Sequence, residues 1–197
     1  MSIAAEQIKK LRELTGAGVL DAKRALENAA GDFDKAADVL KAKGIAAAAK
    51  KSERVARQGL VQSYIHAGGK VGALLELNCE TDFVARTQEF SELAHDLALQ
   101  IVAAKARYVS SDDIPLETRE ELRRVFAAQA ESEGKKGDLV NKIVEGKLTS
   151  YYKDNCLLNQ PFIRDESQTI LDLVKAKIAK LGENIVVRRF SRFELGE

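Results

Sequence analysis

Leu60-Val61-Gln62-Ser63-Tyr64-Ile65-His66-Ala67-Gly68-Gly69-Lys70-Val71-Gly72-Ala73-Leu74-Leu75-Glu76-Leu77-Asn78-Cys79 is where the chain changes period. Residues 60–66 and 70–79 are strand-like runs, and Ala67-Gly68-Gly69 between them is a short turn, so the stretch predicts a β-hairpin. Downstream, residues 86–104 carry Phe90, Leu93, Ala94, Leu97 and Ile101 at i, i+3, i+4, i+7 and i+11. That spacing puts all five on one helical face. Pro115 precedes a further helix over 117–133 with Leu122, Val125 and Phe126, and another over 139–152 carries Leu139, Ile143 and Val144. Leu171, Val174, Ile178 and Leu181 mark a last helix, stopped by Gly182. Residues 185–193 close the chain with alternating apolar positions, a strand that would pair with the hairpin. The fold class is α+β, with a small antiparallel sheet covered by helices.

Upstream of the hairpin the period is helical. Ile8, Leu11 and Leu14 share a face, and Thr15-Gly16-Ala17-Gly18 breaks it. Val19, Ala22 and Leu26 form the next stripe. Asp32 is a candidate N-cap for a third helix bearing Phe33, Ala36, Ala37 and Leu40, with Gly44 where a C-terminal glycine cap would fall. Residues 46–58, AAAAKKSERVARQ, lack an apolar stripe and carry Lys50, Lys51, Arg54 and Arg57. The expected organisation is a three-helix module over residues 1–45, a basic linker over 46–58, and an α+β core over 59–197.

The chain has 197 residues, 45% apolar and 31% charged, enough for a packed core beneath a solvated surface. Lys and Arg total 31 against 30 Asp and Glu, which gives no sign of a polyanionic partner. The balance is uneven: residues 1–58 hold twelve basic and eight acidic side chains. Cys79 and Cys156 have neither disulfide-framework nor zinc-site spacing, and read as reduced and buried. The opening MSIAAEQIKKLREL does not read as a secretory leader, and no run of about 18 apolar residues occurs, so a cytoplasmic protein with no membrane partner is expected. Neither His66 nor His95 has a second ligand at metal spacing. No GxSxG, HExxH or Walker A motif occurs, and Gly68-Gly69-Lys70 is a hairpin turn rather than a phosphate loop. The expectation is a binder and not an enzyme, with no catalytic residues, metal or cofactor.

Leu77-Asn78-Cys79-Glu80-Thr81-Asp82-Phe83-Val84-Ala85-Arg86 joins the second strand to the long helix. Thr81 or Asp82 can cap that helix, and a carboxylate there suits its dipole. Phe83 either packs under the corner or faces outward. LNCETDFVAR over residues 77–86 resembles the signature of the elongation factor Ts family. So do Leu14-Thr15-Gly16-Ala17-Gly18 with Asp21 and Lys23-Arg24-Ala25-Leu26, and GENIVVRRF over residues 182–190. The blocks fall in the family's order and span essentially the whole chain.

The resemblance implies a ubiquitin-associated-like N-terminal module, an α+β core, and guanine-nucleotide exchange on elongation factor Tu during translation elongation. It implies that Thr81, Asp82, Phe83 and Val84 enter the partner's G domain near its magnesium and phosphate site. Phe83 would be the apolar wedge, Asp82 a polar partner, and Thr81 the fixer of the turn. It assigns further contacts to Arg12, Val19 and Leu20, the last two often methionine in relatives. There is no room here for the duplicated core and coiled-coil insertion of long members, so a homodimer is expected, with Phe190 and Phe193 at its contact. The competing reading is a nucleic-acid or ribosome-binding adaptor using residues 41–57. No aromatic side chain interleaves those charges for base stacking, so direct nucleic-acid binding is not expected.

Overall fold

The computed structural model describes residues 3–197. The N-terminal helices are α1 (Ala5–Thr15), α2 (Val19–Asn28) and α3 (Phe33–Lys51). The first two strands are β1 (Gln58–Ile65) and β2 (Val71–Cys79), followed by α4 (Asp82–Ala85), α5 (Gln88–Ala103), α6 (Leu116–Ser132) and α7 (Asp138–Asn155). The chain ends with β3 (Pro161–Phe162), β4 (Asp165–Thr169), α8 (Ile170–Leu181) and β5 (Ile185–Glu194). The architecture is α+β, as the periodicity predicts. Two compact units divide it. The first holds the N-terminal helices and β1 as far as Gln62, Leu75–Asp96 and Leu171–Arg189. The second holds Ser63–Leu74, Leu97–Ile170 and Phe190–Glu197.

In the first unit, α1–α3 close on Leu11, Ala22, Ala25, Leu26, Ala36, Ala37 and Leu40. Four of these seven are alanines, which permit close helix approach but give a thin core. Asp32 caps α3 as expected, accepting from the Lys35 N–H at 3.1 Å. The structure departs from the expected stripes and cap at three positions. Val19 is exposed, off the buried stripe that Ala22 and Leu26 form on α2. Leu14 does not join the core stripe but stands exposed at the end of α1. Gly44 does not end α3, which runs on to Lys51. A glycine inside a helix costs about 1 kcal/mol relative to alanine. A Cβ at Gly44 would lie 3.1 Å from Cβ of Ala179 on α8, so a larger residue there would have to push α8 back by a few tenths of an ångström. Gly16 meets the same helix, where a Cβ would fall 2.7 Å from Lys180.

The three-stranded sheet has the order β1-β2-β5. The His66 N–H donates to the Val71 carbonyl at 2.9 Å and closes the hairpin. Leu195 N–H donates to Lys70 O in one unit, and Arg189 bonds Glu76 in the other, so β5 runs antiparallel to β2. The central strand buries alternate residues, Ala73, Leu75, Leu77 and Cys79, which is the strand period of two.

In the second unit, α6 and α7 pack through Ala130, Val140, Val144 and Leu148. The buried face of α7 begins at Val140, one residue beyond the expected Leu139, which is exposed. The pair β3–β4 has no counterpart in the sequence pattern. It is tied to α5 by buried Gln100, whose amide donates to Gln160 and to the Pro161 carbonyl and whose oxygen accepts from the Ile163 N–H at 2.9 Å. A buried amide satisfied on both sides avoids a desolvation penalty of about 1–3 kcal/mol.

Candidate functional site

The corner after β2 is built from short-range hydrogen bonds. Thr81 is extended at φ −126° and ψ 156°, and its hydroxyl accepts from the Val84 N–H at 3.4 Å, so Thr81 and not Asp82 is the cap. The four-residue helix α4 follows. It hands over to α5 through Thr87, whose hydroxyl donates to the Val84 carbonyl and accepts from the Phe90 N–H. Asp82 pairs with Arg86 at 2.9 Å across one turn. Val84 is half-buried, while Phe83 projects outward and is 81% exposed. Of the two placements the sequence leaves open for this ring, the structure has the outward one.

Two carboxylates brace the corner from within. Glu183, between α8 and β5, accepts with Oε2 from the backbone N–H groups of Glu80 and Thr81 at 3.1 and 3.0 Å. Its Oε1 accepts from the Thr81 hydroxyl at 2.6 Å. In return, Glu80 accepts from the Asn184 N–H at 2.6 Å and pairs with Arg54 at 3.6 Å. The buried Asn184 amide donates to the Ser52 and Arg54 carbonyls at 3.3 and 2.8 Å. No local pattern announces this bracing, because its partners are about a hundred residues apart.

Burial, reinforced by the Glu183 carboxylate, pushes the Cys79 thiol up to about 11. Burial also raises Cys156 to about 11. Both thiols are free and fully buried. Protonated and enclosed at neutral pH, they are not nucleophiles. Among the described residues no group of three or more His, Cys, Asp or Glu is placed to hold a metal ion. Among the described residues no helix is long and apolar enough to cross a membrane.

The other candidate residues flank the turn between α1 and α2. Arg12 is exposed on the last turn of α1, and its carbonyl accepts from the Gly16 N–H at 2.8 Å. Val19 and Leu20 open α2 and are 54% and 70% exposed. Leu14, on the helical face it shares with Ile8 and Leu11, adds a third exposed apolar side chain. This set and the Thr81–Val84 set lie in the same compact unit and share no hydrogen bond or ion pair.

A chain of this α+β build falls, by its likeness to known proteins, among the translation elongation factors. Residues 34–197 match the family model described as Elongation factor TS. The chain is 55% identical to Elongation factor Ts of Carboxydothermus hydrogenoformans over 195 residues, 99% of this chain and 90% of that protein. It is 53% identical to the protein of that name from Caldanaerobacter subterraneus, covering 99% and 98%. Against that of Coprothermobacter proteolyticus it is 55% identical over the whole of both chains. The chain belongs to the elongation factor Ts family.

Proposed function

We propose that this protein binds GDP-loaded elongation factor Tu in the cytoplasm and accelerates GDP release by inserting Phe83 beside the magnesium and phosphate site. The observation that carries the reading is the outward ring of Phe83 on a one-turn helix. An aromatic side chain that gains nothing from its own fold is available to a partner's pocket. GDP is held largely through its phosphates and magnesium, and magnesium tolerates little departure from octahedral geometry. Displacing the elements that hold the ion therefore weakens the nucleotide strongly. A factor that prefers the nucleotide-free state must lower nucleotide affinity by the same coupling free energy.

Asp82 supplies the polar contact. Its ion pair with Arg86 is exposed, and such pairs contribute about 0–1 kcal/mol, so it exchanges partners at little cost. Arg12, Val19 and Leu20 give a second contact. Replacing both Val19 and Leu20 with serine should weaken binding to elongation factor Tu about tenfold by titration, with an unchanged melting temperature. Unaltered affinity would remove these residues from the interface.

The protein pairs as a homodimer. Phe193 is 74% exposed on β5, and with Ile65, Val71, Leu74 and Leu195 it lines an apolar groove of about 480 Å³. An apolar strand at a sheet edge is commonly covered by a second copy about a two-fold axis. Light scattering of Phe193→Asp should give the monomer mass where the parent gives twice that value.

The deciding experiment for exchange is release of fluorescent GDP from elongation factor Tu with and without this protein. Acceleration by catalytic amounts is expected, and release at the spontaneous rate would end the proposal.

A further inference from the structure

Resting on the exchange reading above, we infer that Glu183 is a positioning residue. It sets the direction of Phe83 by fixing the Thr81 cap from the turn that leads into β5, the strand next to β2. The need arises from the size of α4. Four residues close about one helical turn, and a first turn is unfavourable on its own because several dihedrals are fixed for one hydrogen bond. With its ring in solvent, Phe83 contributes no packing that would hold the turn. The aim of the ring must come from elsewhere.

Glu183 supplies it in two ways. Its Oε2 takes both backbone N–H groups that lead into the turn, those of Glu80 and Thr81, and so fixes the plane of entry. Its Oε1 takes the Thr81 hydroxyl proton at 2.6 Å. A hydroxyl has one proton and two lone pairs. Once that proton is committed to Glu183, a lone pair is left facing the Val84 N–H, which is the capping bond that closes α4. Glu183 thus selects the Thr81 rotamer that caps, its own hydrogen bonds going to Glu80 and Thr81 and not to Val84.

The anchorage is reciprocal. Glu80 accepts from the Asn184 N–H, and the Asn184 amide holds the Ser52 and Arg54 carbonyls. Each glutamate ties down the backbone beside the other, so the two corners cannot shift independently. Gly182-Glu183-Asn184 opens the GENIVVRRF block, and its service to the Phe83 corner gives that motif a purpose beyond starting β5.

A pre-organised ring loses less freedom on docking than a swinging one. Loosening it should therefore lower the maximal exchange rate more than it weakens encounter, since the contacts around Val19 and Leu20 are untouched. Glu183→Gln is the informative variant. It keeps one oxygen for the two N–H groups, but it offers an amide where the Thr81 hydroxyl needs an acceptor.

Two measurements test this. The first uses the free protein, with amide hydrogen exchange by NMR. In Glu183→Gln the Val84 amide, which Glu183 does not contact, should lose protection at least about tenfold, while Leu75 and Leu77 in β2 stay protected. Unchanged Val84 protection overturns the positioning role whether or not the exchange reading holds. The second is a saturation curve for GDP release, with Phe83→Ala, Glu183→Gln and the double variant. Glu183→Gln should lower the maximal rate about tenfold, with the half-saturating concentration within about twofold. Added to Phe83→Ala, it should cost less than about twofold more, because residues acting as one unit are not additive. Fully multiplicative losses overturn the inference while leaving the Phe83 wedge standing. Parental-rate exchange by Phe83→Ala defeats the wedge itself, and the Val84 result then stands as a property of the corner alone.

Discussion

Phe83→Ala should slow stimulated GDP release from elongation factor Tu by about a hundredfold at saturating factor, with the fold intact. The magnitude follows from what the ring does in each state. In the free protein it is 81% exposed, so truncation removes almost no buried area. Surface changes of that kind stay within about 0.5 kcal/mol, about 2 °C in melting temperature for a chain of this length. In the complex the same ring would be a buried aromatic anchor, of the kind that costs about 2–4 kcal/mol when cut to alanine. Each 1.4 kcal/mol is about tenfold. The ring therefore separates stability from function cleanly: Phe90 of α5, by contrast, is wholly buried. Phe83→Leu should fall between, since it keeps apolar volume but loses the ring. Stopped-flow release of labelled GDP, paired with a thermal melt, reads both quantities. A folded Phe83→Ala protein that exchanges at the parental rate would show that the wedge lies elsewhere.

The sequence carries its secondary structure where a period is long enough to read. The i, i+3, i+4, i+7, i+11 row from Phe90 to Ile101 is buried throughout, and the alternation in residues 185–193 becomes the strand that pairs with the hairpin. It misleads where tertiary contact overrides local propensity. Gly44 reads as a helix end, yet α3 passes through it and on to Lys51, with the glycine set close against Ala179 of α8. Leu14 fits the stripe of α1 by spacing, but in the last turn of the helix it stands exposed. The pair β3–β4 is invisible because one strand has two residues and the other, Asp-Glu-Ser-Gln-Thr, has no apolar alternation. The corner shows both limits together. Its capping threonine is legible from residue type, but α4 is too short for periodicity to say which way Phe83 faces. Its brace is beyond any local pattern, since Glu183 and Thr81 stand 102 residues apart in the chain.

Gly59→Ala should be the most damaging single methyl in the chain. Gly59 lies in β1 at φ +143°, where a side chain is strained whatever its surroundings. A Cβ there would stand 2.1 Å from the Leu77 carbonyl oxygen, 2.8 Å from Asn78 Cα and 3.0 Å from Leu77 C. All three are backbone atoms of the neighbouring strand, so no rotamer relieves the clash. Leu77 is wholly buried and cannot retreat, and the Asn78 amide ties this point to the Gln58 carbonyl at 3.2 Å. β1 must either lift off β2 or slip, and a one-residue slip would reverse which of its side chains face the core. The combined strain and lost pairing should cost about 3–5 kcal/mol, lowering the melting temperature by about 10 °C. The damage should also reach exchange, because Leu77 and Asn78 lead directly into Cys79, Glu80 and the Thr81 cap. Gly68→Ala is the control. Gly68 too has positive φ, +91°, but nothing lies within 4 Å of its would-be Cβ, so that variant bears backbone strain alone, about 1 kcal/mol. Thermal melts of the two proteins isolate the contact from the conformation. Equal, small shifts would mean that β1 and β2 do not approach at Gly59 as closely as this packing requires. A large gap, with exchange lost only in Gly59→Ala, would tie the hairpin's closest approach to the aim of the corner beyond it.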